Sequence, residues 1–434
     1  MKKLHTVIIV LLIFALYGCV TQPAMGGPVP LTLVYTGNLD GELEPCGCSE
    51  GGNKGGIKRQ VQKIDELRQQ DKDLVLISTG GLLVSEMPQD RLKSVYILKG
   101  LEQMNYDVFG VQWPDLAYGP EFLNQFNMSW VVSNWQKKYF VPEKQIKRNG
   151  VNLHYFQWLD PSANPAGTMA GDDAPDKKPN LLNQRLKQVK AVKGITIVAT
   201  TLPLADAKSL LDLSNIDILL IKAKYEVYGE PLVDGKTLVL QPGSRGMRMA
   251  SALLKIESGV VSLEGHEVFP LPPEVKDAPR MLGWYDEYNA EVKKAYQQRV
   301  ELRKKLMSGE SPYAGEKVCK TCHQKQYDIW FDTRHAEAFY ALQDVGKGFD
   351  PDCIACHVVG FDKPGGFVDA QITSRLQHVQ CENCHGAAKK HADSGGQVKP
   401  ENHAWQPQEM CQQCHVQKHS PDFKFANYWP KIKH

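Results

Sequence analysis

For most of its 434 residues the sequence is poor in the side chains that bind metals and form crosslinks. Ahead of residue 318 there are three cysteines, Cys19, Cys46 and Cys48, and three histidines, His5, His154 and His266. So few cysteines exclude a disulfide scaffold. One charge sign does not dominate either: 51 Lys and Arg stand against 49 Asp and Glu, a formal charge of +2. Without a basic excess there is no stripe for nucleic acid. The apolar run Val7 to Leu16 is shorter than the about 20 residues that a bilayer-spanning helix needs.

What the first three quarters lack is concentrated in the last. Four five-residue patterns recur there: Cys319-Lys-Thr-Cys322-His323, Cys353-Ile-Ala-Cys356-His357, Cys381-Glu-Asn-Cys384-His385 and Cys411-Gln-Gln-Cys414-His415. Each has the spacing of a covalent c-type haem site, in which two thiols add to the porphyrin vinyl groups and the histidine binds iron from one side. Structural zinc also uses Cys-x-x-Cys pairs, but four zincs leave the four adjoining histidines and the crowd around them unexplained. Ten of the thirteen histidines lie between His323 and His434. Beyond the four proximal ligands remain His335, His378, His391, His403, His419 and His434, more than the four distal positions to be filled. The surplus points to bis-histidine iron, closed to substrate and suited to one-electron exchange. About 124 residues around four haems leave little room for a conventional core, so Trp330, Phe331, Phe339, Phe349, Trp405 and Trp429 are expected against porphyrin faces.

Residues 311–434 resemble the cytochrome c554 family. The resemblance is carried by Tyr313-x-Gly315, Trp330-x-x-Thr333-x-His335-Ala336-x-Ala338, Cys356-His357-x-x-Gly360 and Val379-x-Cys381-Glu382-x-Cys384-His385-Gly386. It implies that His335 serves the haem of His385 and that His391 serves the haem of His415, with His378 the candidate for that of His323. For the haem of His357 the choice stays open among His403, His419, His434 and no distal ligand.

The amino terminus reads as an export signal, residues 1–18, with Lys2 and Lys3 ahead of the apolar run. It closes in Leu16-Tyr17-Gly18-Cys19, which resembles a bacterial lipobox; this implies a lipid on Cys19, while Tyr17 leaves a plain signal peptide open. Val20 after the cysteine resembles an outer-membrane sorting signal. Residues 19–30, rich in Pro and Gly, form a tether. With the signal removed and four haems attached, the oxidised protein carries a charge of about −4.

Residues 31–270 alternate strand and helix patterns and predict a layered α/β domain. Strands are expected at 31–35, 74–78, 107–111, 130–133, 195–200, 216–221 and 237–241, with helices through Ile57 to Leu67 and Val95 to Leu101 and a polar loop at 161–179. The landmarks Leu33-Val-Tyr-Thr-Gly-Asn-Leu-Asp-Gly41, Ser78-Thr-Gly-Gly81, Gly110 to Gly119 and Gln241-Pro-Gly243 resemble the metal-binding half of 5′-nucleotidases and calcineurin-like phosphoesterases. The slots where that family places metal ligands hold Asn38 and Asp40, Gly81, Val111 and Gln112, Thr200 or Thr201, and Ala223 and Tyr225. One aspartate among amides and apolar groups does not hold two cations, so a catalytically dead scaffold is expected. Cys46-Gly-Cys48 follows the first strand; a redox pair, a metal pair and a structural bridge all remain open. His154 and His266 are expected to be surface or satisfied side chains.

Residues 271–310 predict a linker helix opened near Asp277 and Pro279 and stopped by Gly309. Met281, Tyr285, Tyr288, Val292 and Ala295 form a seam for packing or, alternatively, self-association. The whole predicts an exported, lipid-anchored tetrahaem cytochrome relaying electrons between redox partners of the cell envelope. The alternative is a haem enzyme acting on a nitrogen or sulfur oxyanion at an open iron, with Arg334, Arg375 and Lys389 holding the anion. An active nucleotidase with an attached cytochrome ranks third.

Overall fold

The computed structural model describes residues 27–45, 53–87, 89–165, 174–222, 228–307, 309–416, 419–420 and 422–434. The export segment, Cys19, Cys46, Cys48, Ala223 and Tyr225 lie outside the described residues.

The chain opens with β1 (Val29–Thr36), α1 (Ile57–Gln70), β2 (Val75–Ser78), α2 (Asp90–Glu102), β3 (Val108–Gly110), α3 (Pro120–Leu123) and β4 (Trp130–Val131). There follow β5 (Lys144–Arg148), β6 (Val151–Trp158), α4 (Asn180–Ala191), β7 (Ile195–Thr200), α5 (Leu204–Leu210), β8 (Ile218–Ile221), β9 (Gly229–Asp234) and β10 (Thr237–Gln241). A hairpin of β11 (Arg248–Glu257) and β12 (Val260–Pro270) closes the domain. Two six-stranded sheets result, ordered β12-β11-β1-β2-β3-β4 and β5-β6-β7-β8-β10-β9.

The period of two in each strand sorts its side chains between layers. Leu31, Leu33 and Tyr35 of β1 pack with Leu153, Ile197 and Leu240 of the other sheet, whereas Val34 faces outward under α1 and α2. Helices α4 and α5 cover the second sheet through Leu182, Leu186, Val189 and Ala207. The domain is therefore four-layered, α/β/β/α.

All seven strands expected from the pattern are present, and β5, β6, β9, β11 and β12 join them. Strands β5, β9 and β12 are sheet edges, where one side of the strand stays wet and polar residues interrupt the apolar signal. Strand β6 is buried but carries His154 and Gln157, whose polarity is satisfied inside. His154 Nδ1 pairs with Glu143 Oε1 at 2.5 Å, and Gln157 Nε2 donates to Val111 O at 3.3 Å. His266 Nε2 lies 2.7 Å from the Tyr35 hydroxyl. Both histidines are thus satisfied, as expected.

Helix α6 (Leu282–Lys305) is the linker. Trp284, Tyr288 and Val292 enter the outer core of the α/β domain, and Tyr296 enters a separate core in the haem region. The apolar seam is consumed within the chain, which leaves no face for self-association through it. Of the expected seam Met281, Tyr288 and Val292 are buried, whereas Tyr285 and Ala295 stay half-buried and Trp284 and Tyr296 are buried beside them.

The haem region is a string of short helices: α7 (Glu316–Lys320), α8 (Gln324–Phe331), α9 (Ala338–Asp344), α10 (Pro351–His357), α11 (Cys381–His385), α12 (Lys389–Asp393), α13 (Pro407–Cys411) and α14 (Phe425–Tyr428). Its first half has a polypeptide core of Tyr313, Phe339, Leu342, Ile354, Val358, Val359, Phe367 and Leu376. Phe339 and Trp330 are committed to protein contacts, with Trp330 Nε1 donating to Val379 O at 2.7 Å; this corrects the expectation that porphyrin faces take them. Among the described residues from 377 onward only Gln380, Glu382, Gly386 and Ala388 are buried. Phe331 and Trp405 remain exposed, as ring-packing residues would.

Trp284 fills the contact beneath Gly100 and donates Nε1 to Tyr96 O at 3.0 Å. Trp284→Ala is expected to lower stability by about 3–5 kcal/mol, read as an earlier midpoint in urea denaturation followed by far-UV circular dichroism.

Candidate functional site

The helices bearing the motifs start where backbone caps allow. Asp350 accepts from Asp352 N at 3.1 Å and Pro351 takes the first helical position, which starts α10 two residues ahead of Cys353. At α11, Gln380 and Asn383 bond each other's backbone reciprocally. Glu382, buried inside this motif, accepts from Ala314 N, Gly315 N and Ala388 N, each at 2.8 Å. It sews the third motif to the entry of the first, a role that spacing alone does not reveal. Gly360, with φ of 68°, has the Tyr313 ring where a Cβ would sit, 2.6 Å from Cζ.

Three pairs of imidazoles face one another. The ring centroids of His323 and His391 are 6.0 Å apart, those of His335 and His415 6.1 Å, and those of His385 and His434 5.8 Å. An iron bound at about 2 Å by a nitrogen of each ring separates two opposed centroids by roughly 6 Å, so the three pairs fit iron between them. Tautomers agree. His391, His434 and His357 each donate Nδ1–H to a carbonyl, of Val398 at 2.7 Å, Ile432 at 2.9 Å and Ala338 at 2.5 Å, which leaves Nε2 as the unprotonated, ligating nitrogen. Burial pushes His335 down to about 4, with His415 and His357 adding to the effect, and pushes His385 and His415 down as well. Neutral rings are what a metal requires.

These facing pairs differ from the pairings implied by the family resemblance. His335 faces His415 rather than His385, and His391 faces His323 rather than His415. The second follows from the backbone: Lys389 N donates to Pro312 O at 3.0 Å, drawing α12 against the segment that enters the first motif. His378 does not face His323. The bridge between Val358 and Gln377 holds it beside His357, its φ is 72°, and its ring meets Tyr340 edge-on at 4.5 Å. Phe339 N–H donates to its Nδ1 at 3.2 Å, so in the neutral ring the proton sits on Nε2, the wrong tautomer for an iron ligand. His403 is exposed, with Nδ1 donating to Pro400 O at 3.0 Å, and His419 follows the fourth motif half-buried.

The thiols give the order of the motifs in space. The Cys319 thiol is held protonated by a hydrogen bond with Cys381 and by burial, and that of Cys414 by a hydrogen bond with Cys356 and by burial. Burial, with Cys411 alongside, pushes Cys384 up to about 11. The motifs therefore run first, third, fourth, second, each beside the next. Arg375 and Lys389 line one cavity of about 400 Å³ together with Glu310 and Asp393. Lys389 is paired with both carboxylates, at 3.1 and 2.6 Å, and Arg375 Nη1 donates to Tyr313 O at 2.8 Å. Their engagement weighs against an anion site there.

The cleft of the α/β domain is filled by hydrogen bonds between amides. Asn38 Nδ2 donates to Gly243 O at 3.1 Å, and Gln112 Nε2 donates to Asn38 Oδ1 at 2.9 Å and to Thr79 O at 3.1 Å. Asp115, fully buried, accepts from the backbone N–H of Gly81, Leu82, Leu83 and Gln112, at 2.8, 2.6, 3.2 and 2.9 Å. A Cβ at Gly81 would come 2.8 Å from Gln112 Oε1. Among the described residues no group of three or more His, Cys, Asp or Glu is arranged to hold a metal. The residues present do not fit a two-metal centre.

Comparison with known proteins agrees with this division. Residues 318–386 match the family described as Cytochrome c554 and c-prime. Cytochrome c-554 of Nitrosomonas europaea is 29% identical over 151 residues, which cover 28% of this chain and 64% of that protein. The chain thus spans less than two thirds of that relative. By these matches the C-terminal region is similar to the cytochrome c554 family of c-type cytochromes. In fold, the chain is similar to the 5′-nucleotidase precursor of Thermus thermophilus, with a TM-score of 0.54 at 16% identity over 73% of this chain and 68% of that one. The NAD nucleotidase of Haemophilus influenzae gives 0.49 at 14% identity, over 57% and 51%. The N-terminal region accordingly has the fold of the 5′-nucleotidases.

Asp40, in the loop after β1, is raised from 3.8 to about 6 by burial. A carboxyl raised on folding costs nothing below pH 3.8 and its full penalty above about 6, so stability falls across that window. Asp40→Asn is expected to gain about 2 kcal/mol at pH 7.5 and nothing at pH 3.5, measured by urea denaturation at the two pH values.

Proposed function

We propose that this protein is an envelope-anchored tetrahaem c-type cytochrome that relays electrons between redox partner proteins, with the phosphoesterase-like domain catalytically dead and retained as a scaffold. Haem c supplies reversible one-electron chemistry at iron. The observation that carries the reading is the three opposed imidazole pairs, His323 with His391, His385 with His434 and His335 with His415, each spaced for one iron. With Cys319 set against Cys381 and Cys414 against Cys356, the four sites form a wire with two ends.

The residues around them do the positioning. His323, His357, His385 and His415 are the proximal ligands, with His391, His434 and His335 the distal ligands for the first, third and fourth sites. Carbonyls of Val398, Ile432 and Ala338 fix the tautomers of His391, His434 and His357. Rigid axial pairs favour electron transfer because little rearranges when the charge changes. The export signal and Cys19 support a lipid anchor in the periplasm, at the outer membrane. Among the described residues no helix is long and apolar enough to cross a membrane.

In the former cleft, hydrogen bonds among Asn38, Gln112 and Asp115 occupy the positions where ions would sit. Hydrolysis of nucleotides and phosphomonoesters with added manganese or zinc is expected to be absent; metal-dependent turnover would overturn the scaffold reading.

Electron paramagnetic resonance of the oxidised holoprotein tests the ligand set. His335→Ala, His391→Ala and His434→Ala are each expected to convert one low-spin signal to high spin while the mass still shows four covalent haems. Fewer than four haems in the parent protein, or three variants that all stay low-spin, would sink the assignment.

A further inference from the structure

Two clusters of buried charge join the α/β domain to residues 347–352, immediately ahead of Cys353. In the first, Lys93 of α2, 6% exposed, donates Nζ to Asp352 Oδ2 at 2.8 Å and lies 3.2 Å from Asp90. Gln89 Nε2 donates to the other oxygen of Asp352. Asp90 is itself fixed, accepting from Glu86 N at 2.7 Å and Met87 N at 2.8 Å. In the second, Lys347 pairs with Glu44 from the loop after β1, lies 3.6 Å from Asp350 and donates to Asn289 Oδ1 of α6 at 2.9 Å. Its ammonium sits over the rings of Tyr285 and Tyr288, at 5.2 and 5.6 Å.

These contacts are a costly way to fasten two domains. A buried ion pair roughly breaks even against apolar side chains of the same shape. Charges away from water do, however, keep their field at short range. Burial opposes the charged form of Lys93, yet Asp352 and Asp90 outweigh it and hold the ammonium ionised. Asp352 lies one residue before a haem-bearing cysteine, inside α10, and Asp350 caps the same helix. The charge balance around the second motif is therefore set from the other domain. The second motif is also one of the two ends of the motif order, where a partner or the last carrier exchanges its electron.

We propose that Lys93 and Glu44 of the α/β domain, acting through Asp352 and Lys347, are positioning residues that set the reduction potential of the haem attached at Cys353 and Cys356. The metal-free phosphoesterase fold is then the electrostatic half of one redox site. The inference rests on the tetrahaem reading above. Its sign follows from Coulomb's law: an electron added at iron is favoured by a nearby cation and opposed by a nearby anion. Lys93→Gln removes the cation beside Asp90 and Asp352 and lowers the midpoint; Asp352→Asn removes an anion and raises it.

Spectroelectrochemical titration of the full-length holoprotein reads this directly. Each variant is expected to move one of four midpoints, in opposite directions, by on the order of tenfold in the one-electron equilibrium, about 59 mV. Cys353→Ala/Cys356→Ala identifies the couple, which disappears together with the mass of one haem. Unmoved midpoints in folded variants with four haems would overturn the inference, as would shifts of one sign in both, the mark of mere loosening. Should Lys93→Gln fail to fold, Lys347→Gln carries the same test, with a lowered midpoint expected. A Cys353→Ala/Cys356→Ala protein with unchanged haem mass would instead defeat the tetrahaem reading itself.

Discussion

One helix is buried in two cores at once, and the relation between the two halves of the molecule follows from that. Trp284, Tyr288 and Val292 of α6 complete the outer layer of the α/β domain, and eight residues past Tyr288 the same face puts Tyr296 into the core of the haem region. A helix advances about 1.5 Å per residue, so the two cores sit roughly 12 Å apart along a rod that bends little. Arg303 extends the attachment: its guanidinium lies 4.3 Å from the Phe361 ring centroid, and its Nε donates to Asp362 at 2.6 Å. The joint is rigid because neither core closes without it.

That rigidity gives the charged contacts between the halves their meaning. Buried ion pairs tolerate little slack, since an ångström of drift admits water and screens the field. Lys93 and Lys347 stay dry because α2 and α6 are already packed against each other through Tyr96, Tyr288 and Trp284. In the old cleft the exchange of chemistry is equally concrete. A catalytic pair of cations needs negative charge around it; here Gln112, Asn38 and four backbone amides satisfy one another and a single buried carboxylate. The loops keep their layout because hydrogen bonds among amides and to Asp115 hold them together.

The sequence makes some of this legible and hides the rest for physical reasons. The four Cys-x-x-Cys-His patterns are contiguous in the chain at fixed spacing, so they read directly as motifs. Buried strands such as β1 and β7 read from continuous apolar residues, whereas edge strands β9 and β12 are half-wet and carry a diluted signal. The distal histidines are visible as a surplus, but which ring faces which is a tertiary fact. The path of α12 after Gly386, drawn in by Lys389 N and by Glu382, brings His391 to His323, and no spacing rule encodes that. Lys93 reads as one more charge on an amphipathic helix; only the packing shows that it is dry. For His378 the expected place opposite His323 differs because the bridge between Val358 and Gln377 holds it beside His357, a pairing distant in sequence.

The near absence of buried side chains after residue 377 bears on how the molecule is made. A segment whose only described buried side chains are Gln380, Glu382 and Ala388 has no collapse of its own to drive it. The strands of the α/β domain are all in place once the hairpin of β11 and β12 has paired with β1, about fifty residues before Cys319. The earlier half thus folds as a finished body beside which the later half waits as an open chain. An open chain is what a haem-ligating enzyme must grip to reach each Cys-x-x-Cys-His in turn. On the tetrahaem reading proposed above, the weakness of the C-terminal core leaves each motif within reach before the tertiary structure closes around it.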